Sequence, residues 1–185
     1  VWIGTNREGI FVYHPRTHTL RHYQPDPAIP NSLDNAYVNE IFEAENGTVW
    51  IGTWYGLSRY DPKTDGFVAY PFPVDLAQEV FNYAVIEAIA EDDNGWLWLG
   101  CWGSGLHVFH PATQQFRHID RTPDGKQTGN WWVRDLAFGP EGSLWVATVG
   151  QGLFQLQPAS GGIVSYAPQF ADYPPDFSRQ LSLYW

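Results

Sequence analysis

A five-residue sequence with tryptophan in its second position recurs four times along the chain. It reads VWIGT at Val1–Thr5 and at Val49–Thr53, LWLGC at Leu97–Cys101, and LWVAT at Leu144–Thr148. The intervals between successive tryptophans are 48, 48 and 47 residues. A fixed period of this size indicates a repeat architecture, in which each repeat is one supersecondary unit packed against its neighbours.

Each repeat contains four short runs of β-forming residues separated by turn residues. The runs of the first complete copy are 37–43, 48–53, 57–60 and 67–70. The first and last of the three gaps hold turn residues, as expected for strands joined by hairpins; they are Glu45-Asn46-Gly47 and the segment that begins at Asp61-Pro62. A glycine also follows each tryptophan by six or seven residues, and this predicts a positive φ or a close backbone approach. These glycines are Gly9, Gly56, Gly105 and Gly152.

The repeat predicts an all-β fold, namely a β-propeller of four-stranded antiparallel blades with about four blades present. A β-solenoid is the competing repeat fold, but its turns have a shorter period. The predicted segments are a partial blade at 1–23, blades at about 37–70, 84–119 and 132–166, and a lone first strand at 177–184. Because both ends fall inside a blade, we expect residues 1–185 to be an arc of a larger propeller. A closed four-bladed ring, completed by 177–184, is the alternative.

The charge of the chain excludes some classes of partner. Its 185 residues include 20 acidic and 10 basic side chains, for a net charge of −10, and no run of Lys or Arg occurs. Nucleic acids and anionic membranes both require clustered positive charge, so neither is expected as a partner. No apolar run approaches the roughly 20 residues of a membrane span. The chain does not begin with Met, and we interpret it as a segment of a longer protein or as a mature chain that lacks its start.

The connections between repeats are long and are expected to share one face with the loops between second and third strands. Binding residues commonly lie on such loops of a rigid scaffold. Aromatic rings with neighbouring amides are typical of sites for neutral polyhydroxyl ligands. The candidate ligand-binding residues are Arg7, Asn35, Tyr37, Trp54, Tyr55, Asn82, Tyr83, Trp102, Asn130, Trp131 and Trp132. The alternative is that these rings fill space beneath the loops and that the asparagines serve turns.

Other chemically active residues align with structural positions of the repeat. The four repeat tryptophans are expected in the core between blades. His14 and His110 precede a proline in the position that Asp61 occupies in the second copy, so both are predicted turn residues. No metal-binding spacing occurs, and no metal or cofactor is expected. Glu40 and Asp135 share an inner-strand position and could form a general acid–base pair in a channel, but the sequence shows no nucleophile, activating histidine or metal cluster to accompany them.

The repeat resembles the two-component regulator propeller repeat, with the pattern V-x-x-I, D-x-x-G-x-L-W-I-G-T and G-L-x-R-Y-D-P-x-T-G-x-F-x-x-Y. The matching residues of the first complete copy are Val38, Ile41, Val49–Thr53, Gly56–Pro62 and Phe67–Tyr70. The later copies match again with mild departures. Cys101 replaces Thr, Ala147 replaces Gly, and Gln157-Pro158 replaces Asp-Pro.

The resemblance implies the extracytoplasmic, periplasmic sensor of a bacterial transmembrane regulator. Family members often have seven-bladed propellers, and some sense glycans. Their output modules are histidine kinases, diguanylate cyclases or DNA-binding domains. We therefore expect a non-enzymatic sensor that binds an oligosaccharide or other small polar ligand. The remaining blades of the same protein are its expected partners, and a homodimer is left open. The alternatives are a lyase-like propeller enzyme and a structural or protein-interaction propeller.

Overall fold

A computed structural model describes residues 1–72, 85–119, 121 and 131–157, and the backbone of residues 162–165. Apart from one 3₁₀ turn at Pro140–Gly142, the secondary structure of these residues is β-strand. The chain divides into two compact units, Val1–Ile86 and Glu87–Trp185. No helix within the described ranges is long and apolar enough to span a membrane.

The first unit contains two antiparallel sheets in which strands consecutive in sequence are neighbours. The three-stranded sheet consists of β1 (Trp2–Gly4), β2 (Ile10–His14) and β3 (Thr19–Tyr23). The four-stranded sheet consists of β4 (Val38–Glu43), β5 (Val49–Thr53), β6 (Gly56–Asp61) and β7 (Gly66–Pro71). Each sheet is a meander, because short turns connect every strand to the next one.

The second unit has the same construction, with two four-stranded antiparallel sheets. One consists of β8 (Ile86–Glu91), which begins at the boundary between the units, β9 (Leu97–Cys101), β10 (Gly105–His110) and β11 (Gln115–Ile119). The other consists of β12 (Val133–Phe138), β13 (Leu144–Thr148), β14 (Gly152–Gln157) and β15 (Gly162–Ser165). The predicted all-β fold of antiparallel four-stranded units is confirmed. The predicted lone strand at 177–184 lies outside the described residues.

The recurring pentapeptide requires glycine because a side chain of the next repeat packs directly against it. A Cβ atom at Gly4 would lie 2.7 Å from Val38 Cγ1, and one at Gly100 would lie 2.4 Å from Val133 Cγ1. Carbon atoms in contact are normally about 3.5–4.0 Å apart, so neither position has room for a methyl group. Gly52 repeats the arrangement, with its Cβ position 2.8 Å from Ile86 Cγ2. The second strand of one repeat thus receives the β-branched side chain that begins the next repeat.

The second recurring glycine has the predicted positive φ in all four copies. The angles are 72° at Gly9, 148° at Gly56, 74° at Gly105 and 95° at Gly152. At Gly9 a Cβ atom would also lie 2.2 Å from the carbonyl oxygen of Tyr23. Backbone conformation and close approach therefore both require glycine at the start of the third strand.

The repeat tryptophans differ in burial. Trp50 and Trp98 are buried, whereas Trp2 and Trp145 are half-buried. Trp2 contacts the neighbouring sheet of its unit edge-on, with its ring centroid 4.9 Å from that of Tyr60. The predicted core position is thus confirmed for Trp50 and Trp98, and the other two rings lie at the edge of the core.

Candidate functional site

In the first unit, three predicted site residues come together at the end of the sheet where β4 begins. The rings of Tyr37 and Trp54 are stacked, with centroids 4.4 Å apart and planes inclined by 24°. The guanidinium carbon of Arg7 lies 6.0 Å from the centroid of the Tyr37 ring, within cation–π range. Tyr55 follows Trp54 and is 56% exposed. We call Arg7, Tyr37, Trp54 and Tyr55 the first aromatic cluster.

The strand register explains why Tyr37 and Trp54 meet. Tyr37 precedes β4 and Trp54 follows β5, and the adjacent pair Val38 and Thr53 are register partners. The backbone N–H of Trp54 donates to the carbonyl oxygen of Tyr37 at 3.3 Å. The two rings therefore extend beyond the end of the same strand pair.

Arg7 reaches this cluster from the loop between β1 and β2 of the first sheet, and its backbone φ angle is unusual. Its φ is 107°, outside the regions that residues with a Cβ normally adopt. The preceding Asn6 forms an isolated antiparallel bridge with Tyr37, and the N–H of Arg7 donates to the carbonyl oxygen of Ala36 at 3.2 Å. Backbone strain of this kind is concentrated at functional sites and persists only where the surroundings enforce it.

Asn35 belongs to the same region but supports it from below the surface. Its side chain is buried, and its Oδ1 atom accepts a hydrogen bond from the backbone N–H of Tyr37 at 2.8 Å. This arrangement is an Asx turn. Asn35 thus fixes the backbone at Tyr37 and is not itself an exposed binding group.

In the second unit, Trp102 and Trp132 form a second stacked pair, the second aromatic cluster. Their centroids are 4.9 Å apart and their planes are inclined by 27°. The two side chains are 37% and 43% exposed. The adjacent Trp131 points into the protein, where it is 6% exposed and stacks on Phe154 at 4.2 Å. Of these two consecutive tryptophans, Trp132 is therefore a surface residue and Trp131 is a core residue.

The two clusters use the same two positions of the repeat. Tyr37 and Trp132 each precede their repeat tryptophan by 13 residues, and Trp54 and Trp102 each follow theirs by four residues. The pairing nevertheless differs, because Tyr37 and Trp54 flank one sheet whereas Trp102 and Trp132 extend from the two sheets of the second unit. Aromatic residues at these positions thus form a stack within a sheet or between the sheets of one unit, half-buried in the first cluster and exposed in the second.

An ion pair near the second cluster was not predicted from the sequence. Arg134 Nη1 lies 2.6 Å from Glu87 Oε2, and the side chains are 47% and 14% exposed. Burial raises the pKa of Glu87, and the positive charge of Arg134 opposes that rise. The register of β12 and β13 shifts between Val133 and Asp135, so Arg134 lies at a bulge that redirects its side chain. The available signal was its position, 11 residues before the repeat tryptophan, which Glu87 shares.

The remaining reactive groups of the described residues have structural partners. Burial lowers the pKa of His107 to about 3, and its ring stacks on His118 at 4.4 Å. The Nε2 atoms of both histidines lie 3.0 Å from the carbonyl oxygen of Ser104. Cys101 is buried, which raises its pKa to about 12. The three candidates Asn82, Tyr83 and Asn130 lie outside the described residues.

Consecutive antiparallel meanders, three of which share a glycine-to-valine or glycine-to-isoleucine contact, define a β-propeller repeat protein. Residues 32–55 and 80–103 match the two component regulator propeller family. The predicted resemblance to this propeller repeat is therefore confirmed over these two segments. No curated protein shows a significant sequence match to the chain.

Solved structures share this fold at low sequence identity. The extracellular domain of the putative hybrid two component system BT4673 from B. thetaiotaomicron is 21% identical over 89% of this chain and 20% of its own, with a TM-score of 0.73. The corresponding domain of BT3049 from the same organism is 23% identical over 88% and 21%, with a TM-score of 0.70. A catalytically inactive virginiamycin B lyase from Staphylococcus aureus is 16% identical over 84% and 47%, with a TM-score of 0.62. The chain thus spans about a fifth of the two B. thetaiotaomicron domains.

Proposed function

We propose that this chain is part of the periplasmic sensor of a bacterial transmembrane signalling protein and that it binds its ligand without catalysing a reaction. The family match and the likeness of its fold to extracellular domains of putative hybrid two component systems support this proposal. The remaining blades of the propeller and the output module lie elsewhere in the same protein.

The observation that carries the proposal is the pair of aromatic stacks at equivalent positions of the repeat, each with at least one exposed ring in its cluster. A flat aromatic face packs against the C–H face of a sugar ring, while nearby polar groups orient its hydroxyls. Arg7 supplies such a group in the first cluster. Arg134 is neutralised by Glu87 near the second cluster, which favours an uncharged ligand. The ligand class is therefore an oligosaccharide or another small, neutral, polar molecule.

Signalling requires that the ligand change an equilibrium between two arrangements of the sensor. A ligand with equal affinity for both arrangements shifts nothing. Reversal of a 1:99 population ratio requires a preference of about 5.5 kcal/mol for the favoured arrangement. The two arrangements could differ in how propellers pack on each other or in how the two copies of a homodimer pack. Ligand binding would supply the required free-energy difference if the stacked rings are accessible to the ligand in only one of them.

Glycan-array screening of the sensor, followed by calorimetric titration of the best ligand, tests the proposal. We expect Trp54→Ala and Trp132→Ala to weaken binding, because each removes one ring of a stack. Leu20→Ala is the matched control, since Leu20 is 59% exposed on β3 and lies in neither cluster. Binding of no oligosaccharide would exclude the carbohydrate, and equal affinity of all three variants would exclude the aromatic clusters.

The likeness to a lyase fold supports a second candidate function, a propeller enzyme. Glu40 and Asp135 are the acids that could perform general acid–base catalysis. This candidate predicts turnover of a bound ligand, with loss of turnover in Glu40→Gln or Asp135→Asn. Binding without turnover favours the sensor, and docking of a protein partner with no small ligand would favour an interaction propeller.

A further inference from the structure

A cleft of about 530 Å³ lies at the other end of the second sheet, away from the first aromatic cluster. It is bounded by the turn between β4 and β5 and by the turn between β6 and β7. Side chains that line it include Trp2, Asn46, Thr48, Arg59, Tyr60 and Lys63. The cleft thus combines aromatic surface with two cationic groups, and the proposed function makes no use of it.

Arg59 is the unexplained group of this cleft. Its Nε atom is excluded from solvent and has no hydrogen-bond partner among the described residues. Its guanidinium forms neither of the ion pairs recorded for the described part of the chain. Buried charged groups are normally paired, because desolvation without a compensating partner is strongly unfavourable. Arg59 as a whole is half-buried and lines the cleft, so an external acceptor could reach its guanidinium group even though the Nε atom itself is enclosed.

Comparison of the repeats shows that the fold does not require this cation. Arg59 is the third residue after the glycine that begins the third strand, and the same position holds Val12, Val108 and Gln155 in the other repeats. Lys63 adds a second positive charge in the adjoining turn. Asp61 is the one acidic residue in the described lining, and its Oδ1 atom already accepts the backbone N–H of Lys63 at 3.0 Å.

The second unit contains the counterpart of this cleft with the opposite charge. That cleft is about 580 Å³ and is bounded by the turn between β8 and β9 and by the turn between β12 and β13. Its lining includes the acids Asp92, Asp93 and Glu141, and its cation Arg117 lies 6.0 Å from the centroid of the Trp96 ring. A cleft beside the turn that precedes a second strand therefore occurs in both units, whereas its charge differs between them.

We propose that the cleft at Arg59 binds a small organic anion. The oxygens of a carboxylate or phosphate group accept hydrogen bonds from the Arg59 guanidinium, with the Lys63 ammonium as the second cationic partner. The organic part of the ligand lies against Trp2. This site is separate from the aromatic clusters, so the sensor would have a second input of different chemistry.

The proposal is tested with benzoate, its neutral analogue benzamide and inorganic phosphate, each titrated into the 185-residue chain. The readouts are the ¹H–¹⁵N NMR signal of the Arg59 Nε–H group and calorimetry. We expect saturable binding of benzoate, a shift of the Arg59 signal and no binding of benzamide. Phosphate binding in place of benzoate would identify the ligand as an inorganic or phosphorylated anion within the same proposal.

Variants separate the site from general charge effects. Arg59→Gln should weaken benzoate binding about tenfold or more, because a charge-assisted hydrogen bond contributes about 1.5–3 kcal/mol. Glutamine occurs naturally at this position in the fourth repeat, so the variant is expected to fold. Arg117→Gln, in the acidic cleft, is the matched control and should leave binding unchanged. Trp54→Ala should also leave it unchanged, since that residue belongs to the first aromatic cluster.

Three results would overturn the proposal. They are an absence of saturable binding by either anion at millimolar concentration, equal binding of benzoate and benzamide, and equal affinity of Arg59→Gln and the unmodified chain. Because none of these measurements involves an oligosaccharide, their failure would leave the sensing function at the aromatic clusters intact.

Discussion

Replacement of Gly100 by alanine tests the contact between successive repeats. The added Cβ would lie 2.4 Å from Val133 Cγ1 and 3.1 Å from Val133 Cβ, so an overlap of about 1 Å must be relieved by movement of β9 or β12. Val133 is fully buried, and its side chain has no exposed space into which to rotate. Overpacking of this kind destabilises proteins by about 1–3 kcal/mol.

The backbone contribution to this change is favourable and does not cancel the overlap. Gly100 has no positive φ, so alanine is compatible with its conformation and restricts the unfolded chain. That effect stabilises by about 0.4–1 kcal/mol, and the midpoints of the two ranges leave a net loss of about 1.3 kcal/mol in the free energy of unfolding. Gly47→Ala measures the cost of an unfavourable backbone conformation without steric overlap, because Gly47 has φ 79° and no atom lies within 4 Å of its Cβ position.

Urea denaturation followed by both tryptophan fluorescence and circular dichroism measures these changes, provided that the two transitions coincide. The decisive comparison is the double variant Gly100→Ala with Val133→Ala. Removal of the Val133 methyl groups relieves the overlap, so the double variant should be more stable than the sum of the single effects by at least about 1 kcal/mol. Additive effects, or full stability of Gly100→Ala, would refute the reasoning.

Three further predictions concern titratable groups. Asp65 accepts hydrogen bonds from Tyr23 and Tyr60 at 2.7 and 2.8 Å and pairs with Arg21, and these contacts lower its pKa. The Asp65→Asn variant should therefore be less stable than the unmodified chain at pH 7. Chemical denaturation should show this difference disappear below pH about 4, because acid protonates Asp65 there. Burial lowers the pKa of His107 to about 3, so native stability should fall as the pH decreases below about 6.5, where the unfolded chain binds a proton. His107→Phe, which introduces the residue found at the equivalent positions Phe11 and Phe154, should flatten that dependence; an unchanged slope would contradict the assignment. The Cys101 thiol, with its pKa raised to about 12, should resist labelling by a thiol reagent at pH 8 until urea unfolds the protein.

The sequence predicted the strands well because two local signals agree in every copy. Short runs of β-forming residues define the strands, and turns such as Glu45-Asn46-Gly47 separate them. The positive φ at the second recurring glycine was predictable for the same reason, since only a backbone requirement maintains glycine at one position of four otherwise different repeats. These features depend on residues close together in the chain.

The candidate site was less predictable because it depends on side-chain direction and distant contacts. The sequence identified both Trp131 and Trp132 but could not determine that the first is buried against Phe154 and the second stacks on Trp102. The ion pair of Glu87 and Arg134 joins residues 47 positions apart through a bulge, which no local pattern indicates. Whether the aromatic clusters bind a ligand stays a prediction.

The interlocking of Gly100 with Val133 also limits how copies of this module could be rearranged. A valine at the start of one copy requires a glycine at the end of the strand that receives it, as at Gly4 and Gly100. The fourth copy carries Ala147 at that place, and its methyl group would collide with an incoming valine. A repeat placed after Ala147 would therefore have to begin with a residue smaller than valine. The order of the repeats is thus restricted by the steric fit between them as well as by the peptides that connect them.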